Sequence, residues 1–461
     1  MKKSFFILTL FISTLSGCKK FLDVNTDPNN PVDVQESLIL APAELNISDN
    51  IFAGNAAIII QNYLQAIAPN QENPGLWNYQ LFNIDVDGDW SAVYVGGLNN
   101  LNILNIKATA SGKSNYAAIA KILSAYVLGT ATDIWGDIPY TEAFKGSANF
   151  TPVYDKQEDI YKSVQTLLAA ALDDIAKGST VVPGGDDYFY NGDMAKWKKL
   201  AYTLQARYYM HLTRAPGYTA AAQADNALQA LNNGMLSNDD DLKFAYEGGA
   251  GNENPWNLTF GPVTTYVLNA TFIEKLKATG DPRLPVLVKK ADATGLYAGR
   301  VIGTPPAGAL DSYSYPGNFI AAASAPNYIV TWSEALFLKA EATFIKSGAA
   351  AASPYYVQGI QSHFLKSGFD TASAAVRSYI NSRSITNANA IQRIMEEKSI
   401  ANFLNIENFT DWRRTGYPSI MKVLGALSEI PRRLLYPESE LLGNAQSQQT
   451  AKITDRLWWD Q

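Results

Sequence analysis

Two histidines, one cysteine and three alternating aspartates are the residues of this 461-residue chain whose types most readily do chemistry. His211 and His363 each stand singly inside a helical apolar stripe, where a satisfied structural role is expected in place of general-base catalysis. Asp85, Asp87 and Asp89 alternate like the opening of a calcium loop, but the twelfth position is Gly96 and not Glu, so the EF-hand requirement fails and a solvated turn capping the next helix is expected. The chain has no G-x-S-x-G, H-E-x-x-H or G-x-x-x-x-G-K-[ST] arrangement. One cysteine excludes disulfide scaffolds, and two separated histidines exclude zinc fingers. No cofactor and no metal is implied.

What remains is recognition by aromatic and amide side chains. Sugar binding needs flat aromatic faces for the C–H side of a ring and amides or carboxylates for its hydroxyls. Of nine tryptophans, Trp90, Trp197 and Trp332 head helical stripes, Trp135 and Trp412 lie in the segments Thr132 to Ala143 and Asp411 to Pro418, and Trp458-Trp459 form the carboxyl-terminal tail; packing is expected for these seven. Trp77, beside Asn78 and Tyr79, and Trp256, beside Asn257, fall in loops rich in Asn, Gly and Pro. The run Asp311 to Phe319 has the same composition, with Tyr313, Tyr315 and Asn318. These eight residues are the candidate ligand contacts, with packing of each loop aromatic onto its own scaffold as the competing reading.

The elements that must position them are helical. Apolar residues recur at helical spacing from Ile51 to Ile67, Trp90 to Ile106, Tyr116 to Ala131, Gln157 to Lys177, Met194 to Thr213, Ala220 to Leu236, Tyr266 to Lys277, Trp332 to Lys346 and Ala388 to Leu404. Within 157–177 the stripe is Ile160, Val164, Leu168, Ala171 and Ile175, with Asp155 and Glu158 as a capping box and Gly178 as a stop. Small residues in Glu334 to Ala342 allow close packing on Tyr355 to Phe364, the logic of tetratricopeptide-type hairpins without a strict repeat. Long turn-rich stretches, such as 69–89, 247–262 and 281–327, are of a length uncommon unless they work.

The amino terminus sets the compartment. Met1-Lys2-Lys3 precedes the apolar run Phe5 to Ile12, far short of the roughly 20 residues of a spanning helix. The run ends at Leu15-Ser16-Gly17-Cys18, which resembles a bacterial lipobox: residues 1–17 are expected as a signal peptide, Cys18 as the acylated residue of the mature protein, 18–42 as a tether and 43–461 as one domain. Loss of Lys2 and Lys3 takes the formal side-chain charge from −6 to −8. With Arg413-Arg414 and Arg432-Arg433 as isolated basic pairs, no nucleic-acid partner is expected.

Several segments in order carry a resemblance: Cys18 to Asp23, Thr132 to Ala143, the Trp197 to Arg207 helix, Asp281-Pro282-Arg283-Leu284, Glu334 to Glu341, Glu396-Glu397-Lys398, Asp411 to Pro418, and Ile430 to Pro437 before Glu440 and Asn444. In these the chain resembles the SusD/RagB family of nutrient-binding outer-membrane lipoproteins. The resemblance implies a mainly α fold with tetratricopeptide-like hairpins and a loop-rich ligand-binding side. It implies no catalysis, an oligosaccharide ligand, and a SusC-like TonB-dependent transporter as partner, at the outer membrane and facing the exterior. Two alternatives stand beside the glycan reading, a peptide ligand and a lipid-anchored hydrolase using two carboxylates held at roughly 5 to 10 Å.

Overall fold

The computed structural model describes residues 34–261, 264–306 and 308–461; Cys18 and the leader lie outside them. The body is built from helices α1 (Ser37–Asn46), α2 (Asn55–Tyr63), α3 (Asn100–Ala110), α4 (Ser114–Trp135), α5 (Gln157–Lys177), α6 (Met194–His211), α7 (Ala220–Leu231), α8 (Ala270–Ala278), α9 (Trp332–Lys366), α10 (Ala374–Ser382), α11 (Ala390–Ala401) and α12 (Glu407–Thr415). Chain neighbours pack as hairpins, α4 on α5 and α6 on α7, and α9 bridges α7 to α11. This is the tetratricopeptide-like architecture that the resemblance implies, built on helices expected from the apolar periodicity. Helix α1 begins at Ser37, inside the segment expected as tether.

The stripe of α5 explains its packing. Ile160, Val164, Leu168 and Ala171 are fully buried, and each large side chain removed from water in this way contributes about 1.5 to 3 kcal/mol. Its amino-terminal cap differs from expectation. Asp155 accepts from the backbone N–H groups of Tyr140 and Thr141, both at 2.8 Å, and so braces the preceding turn. The N–H of Gln157 is taken instead by Asp137 Oδ1 at 2.8 Å. Helix α4 is long and apolar enough to cross a membrane, yet it lies buried as the central helix of the body. Its Gly129 is there for close approach: a Cβ would stand 2.3 Å from the Tyr208 ring on α6. The two stripes expected at 332–346 and 355–364 form one element, α9, kinked at Gly348 (φ 78°, ψ 178°).

The aspartate triplet braces its own turn, with Asp87 accepting from Ser439 N–H at 3.0 Å and Oγ at 3.1 Å. Asp85 accepts from the N–H of Phe82 at 2.8 Å, and Asp89 accepts from Ala56 N–H at 2.7 Å and Asn55 Nδ2 at 2.8 Å, joining this turn to the start of α2. The stripe that follows, 92–99, is wound as a π-helix before α3.

Among the described residues, six short strands tie down the loops in antiparallel pairs. Residues 67–69 (β1) pair with 266–268 (β3), 242–244 (β2) with 327–330 (β6), and 288–289 (β4) with 315–316 (β5). Leu268 N–H donates to Ser314 O at 2.9 Å and so joins β3 to the segment before β5. Strand alternation was scarce in the sequence because these strands are only two to four residues long.

Candidate functional site

The loop-rich end is assembled from four segments. Asn254 caps a short helix at 255–259, accepting from Trp256 N–H at 2.7 Å, and its Nδ2 donates to Ala325 O at 2.8 Å. Asn257 Nδ2 donates to Ala321 O at 2.8 Å, and the Phe260 and Tyr315 rings meet edge to face at 6.4 Å. The structure thus brings the Trp256 and Tyr315 segments together directly. The Trp77 segment joins them through Asn70, whose N–H donates to Thr265 O at 2.7 Å and whose Nδ2 donates to Gly308 O at 3.0 Å. Buried Arg300 reinforces this seam from 300–304 to Gln71 O at 3.4 Å.

Half of the expected contacts are scaffold. Trp256 is buried at 3% exposure because it belongs to the Asn-capped helix, and with Phe319, Phe52 and Phe403 it lines a small cavity of about 30 Å³. Tyr79 (φ 75°) turns inward, its ring 5.8 Å from that of Tyr63 and its hydroxyl accepting from Val423 N–H at 3.3 Å. Asn78 is spent on backbone: Nδ2 donates to Gly425 O at 2.9 Å, and Oδ1 accepts from Gly75 N–H at 2.7 Å. Tyr313 is buried as well. The competing reading, packing of a loop aromatic onto its own scaffold, therefore describes Trp256, Tyr79 and Tyr313, and both polar atoms of the Asn78 amide are engaged by backbone.

Trp77, Asn257 and Tyr315 are half-buried, and Asn318 is exposed. The Trp77 indole lies on the backbone of Gly75, where a Cβ would stand 2.3 Å from the ring, and its Nε1 donates to Asn73 Oδ1 at 3.0 Å. That arrangement fixes the ring plane, as a stacking platform requires. The sequence reading missed the 421–427 loop, which Asn78 and Tyr79 hold beside Trp77. It presents Met421, Leu424 and Leu427 at 83%, 65% and 60% exposure. It has no aromatic residue, and its ties run through backbone carbonyls, so composition gave no signal.

A model of a family described as starch-binding and associating with the outer membrane matches residues 28–437. The chain belongs to this SusD-like family. Among solved structures it is similar to a chitin-binding protein (26% identity, TM-score 0.80, covering 92% of this chain and 100% of that one). It is also similar to a SusD/RagB family protein from Bacteroides thetaiotaomicron (21%, TM-score 0.78, covering 93% and 99%). A third is a chitin-binding SusD homolog from Flavobacterium johnsoniae (22%, TM-score 0.77, covering 92% and 98%). No curated protein matches.

Among the described residues that carried the resemblance, Arg207, Asp281, Arg283, Glu334, Glu397, Lys398 and Asp411 belong to the charged framework of this SusD-like body. Arg207 on α6 forms a two-pronged pair with Glu334 on α9, Nε to Oε1 and Nη2 to Oε2 both at 2.7 Å. Lys398 Nζ lies 2.7 Å from Asp411 and 3.5 Å from Glu407. Arg283 Nη2 bridges Asp281 and Glu397, each at 2.7 Å. His211 sits between Asp133 (3.2 Å) and Glu407 (2.9 Å); burial alone would lower its pKa, but the two carboxylates outweigh burial and raise it to about 9. His363 accepts from Arg283 Nη1 at 3.0 Å, and burial, then Arg283 and Lys366, push its pKa well below the ordinary value. Both histidines are structural. Within this framework Glu334, Glu341, Glu397 and Glu407 are each held by a cation.

Proposed function

We propose that this SusD-like protein is a lipid-anchored, cell-surface glycan-binding protein that passes its ligand to a TonB-dependent transporter of the outer membrane. Cys18 carries the anchor, and the mature chain binds without catalysis. The single observation that supports a glycan most directly is the Trp77 platform, an indole held flat on Gly75 and half-open to solvent at the loop end of a starch-binding family member. Tyr315, Asn257 and Asn318 supply the second aromatic face and the hydroxyl partners, while Asn78, Tyr79, Trp256 and Tyr313 support them from beneath. Two similar structures belong to chitin-binding proteins, which makes β-linked N-acetylglucosamine oligomers the first ligands to test, beside α-linked glucose oligomers.

The test is calorimetric titration of the mature chain with both oligomer series, for wild type, Trp77→Ala and Tyr315→Ala, beside thermal melting. A stacked aromatic contributes on the order of 1 to 3 kcal/mol, so each variant should bind about tenfold or more weakly with its melting temperature little changed. Unchanged affinity in both variants places the ligand elsewhere.

A further inference from the structure

A second cavity, of about 410 Å³, opens on a different part of the body. It is walled by the end of α4, the start of α5 and the carboxyl-terminal strap 446–458, none of which contributes to the loop site. Its size lies within the range of small-ligand sites.

Its wall combines three chemistries. The first is a buried donor without a partner. Arg433 is 8% exposed, its Nη2 donates to Trp135 O, and its Nε–H has no partner. A buried N–H left unpaired is costly, and an acceptor brought to it would relieve that cost. The second is aromatic surface: Tyr154 and Tyr436 meet edge to face at 5.2 Å, and half-buried Trp458 closes the far side, anchored by its N–H to Gln157 Oε1 at 3.1 Å. The third is a polar rim of exposed Asp137, Gln446, Gln448 and Thr450.

The lining selects the ligand class. Arg456 is paired with Asp460 at 3.2 Å, an acid that Arg432 also holds, and Arg433 shares the wall with Asp137. Aromatic faces beside isolated donors and acceptors suit a polyhydroxylated ring. We infer that the cavity between Arg433, Tyr436 and Trp458 is a second saccharide site, taking a neutral hexose or N-acetylhexosamine unit independently of the loop end. The choice of saccharide rests on the glycan reading above; the place does not.

The experiment titrates the mature chain with glucose, N-acetylglucosamine and their linear trimers, for wild type, Thr450→Trp, Gln448→Trp and Trp77→Ala. Both rim positions are exposed, so an indole there fills the mouth without replacing a core group. Wild type is expected to show two sites. Either rim variant should lose one of them, or weaken it tenfold or more, with an unchanged melting temperature, while Trp77→Ala keeps it. Unchanged stoichiometry and affinity in both rim variants overturns the second site and leaves the loop reading standing. Loss of binding in the rim variants alone supports the second site and overturns the loop reading. A wild type that binds none of the four sugars overturns both.

Discussion

Both ring nitrogens of His211 face carboxylates, which requires an N–H on each and hence an imidazolium in the folded protein. Nδ1 lies 3.2 Å from Asp133 and Nε2 lies 2.9 Å from Glu407, with Tyr161 hydroxyl 3.0 Å from Nδ1. Arg207 and Lys398 also face Glu407, at 3.8 and 3.5 Å, and these cations oppose the protonation that Asp133 and Glu407 favour. The balance raises the pKa from 6.5 to about 9. A raised folded-state pKa gives stability that is complete below the unfolded value and is lost as pH rises through the folded one. The window is therefore pH 6.5 to 9, and at roughly 1.36 kcal/mol per pKa unit the contribution is about 3 kcal/mol. Lys275 works in the opposite sense: burial lowers its pKa to about 8, so its contribution improves with pH between about 8 and 10.5. The comparison must thus be a difference. Urea unfolding of wild type and His211→Asn at pH 6 and pH 10 should show a gap in stability that narrows by about 3 kcal/mol at the higher pH, the Lys275 contribution cancelling. A gap that is the same at both pH values refutes a charged His211.

Arg207→Ala leaves Glu334 buried without its partner and should cost about 3 to 5 kcal/mol of unfolding free energy by urea titration, with Arg207→Lys recovering only part. Gly129→Ala drives a methyl into the Tyr208 ring and should destabilise by about 1 to 3 kcal/mol in the same assay. Cys18→Ala should release the protein from the membrane fraction or leave it uncleaved; a variant that stays acylated contradicts the anchor. Pull-down from mild detergent should recover a TonB-dependent barrel, and repeated recovery of the protein alone speaks against that partner.

Much of the body was legible because helical periodicity is local. The α5 stripe and its Gly178 stop were readable, and α5 ends at Lys177. The charged framework was visible only as signature segments, since Arg207 and Glu334 are separated by 127 residues and nothing local pairs them. Trp256 was placed in a loop although the signal for a helix was present: Asn254-Pro255 is an N-cap followed by proline at the first helical position, which announces a helix and hence a packed face. Tyr79 gave no such signal, because a positive φ at a tyrosine is imposed by tertiary contacts with the 423–427 loop. The cavity beneath the carboxyl-terminal strap was illegible for the same reason. Its walls come from 136–157 and 433–458, which only the fold brings together.

The central claim is that the mature chain binds a glycan and returns it intact. Its most direct test is equilibrium binding of chitin and starch oligosaccharides to the mature chain, followed by chromatography of the recovered sugar. Saturable binding with the sugar recovered at its original length is the predicted result. Absence of binding across both series, or release of shorter products, contradicts it.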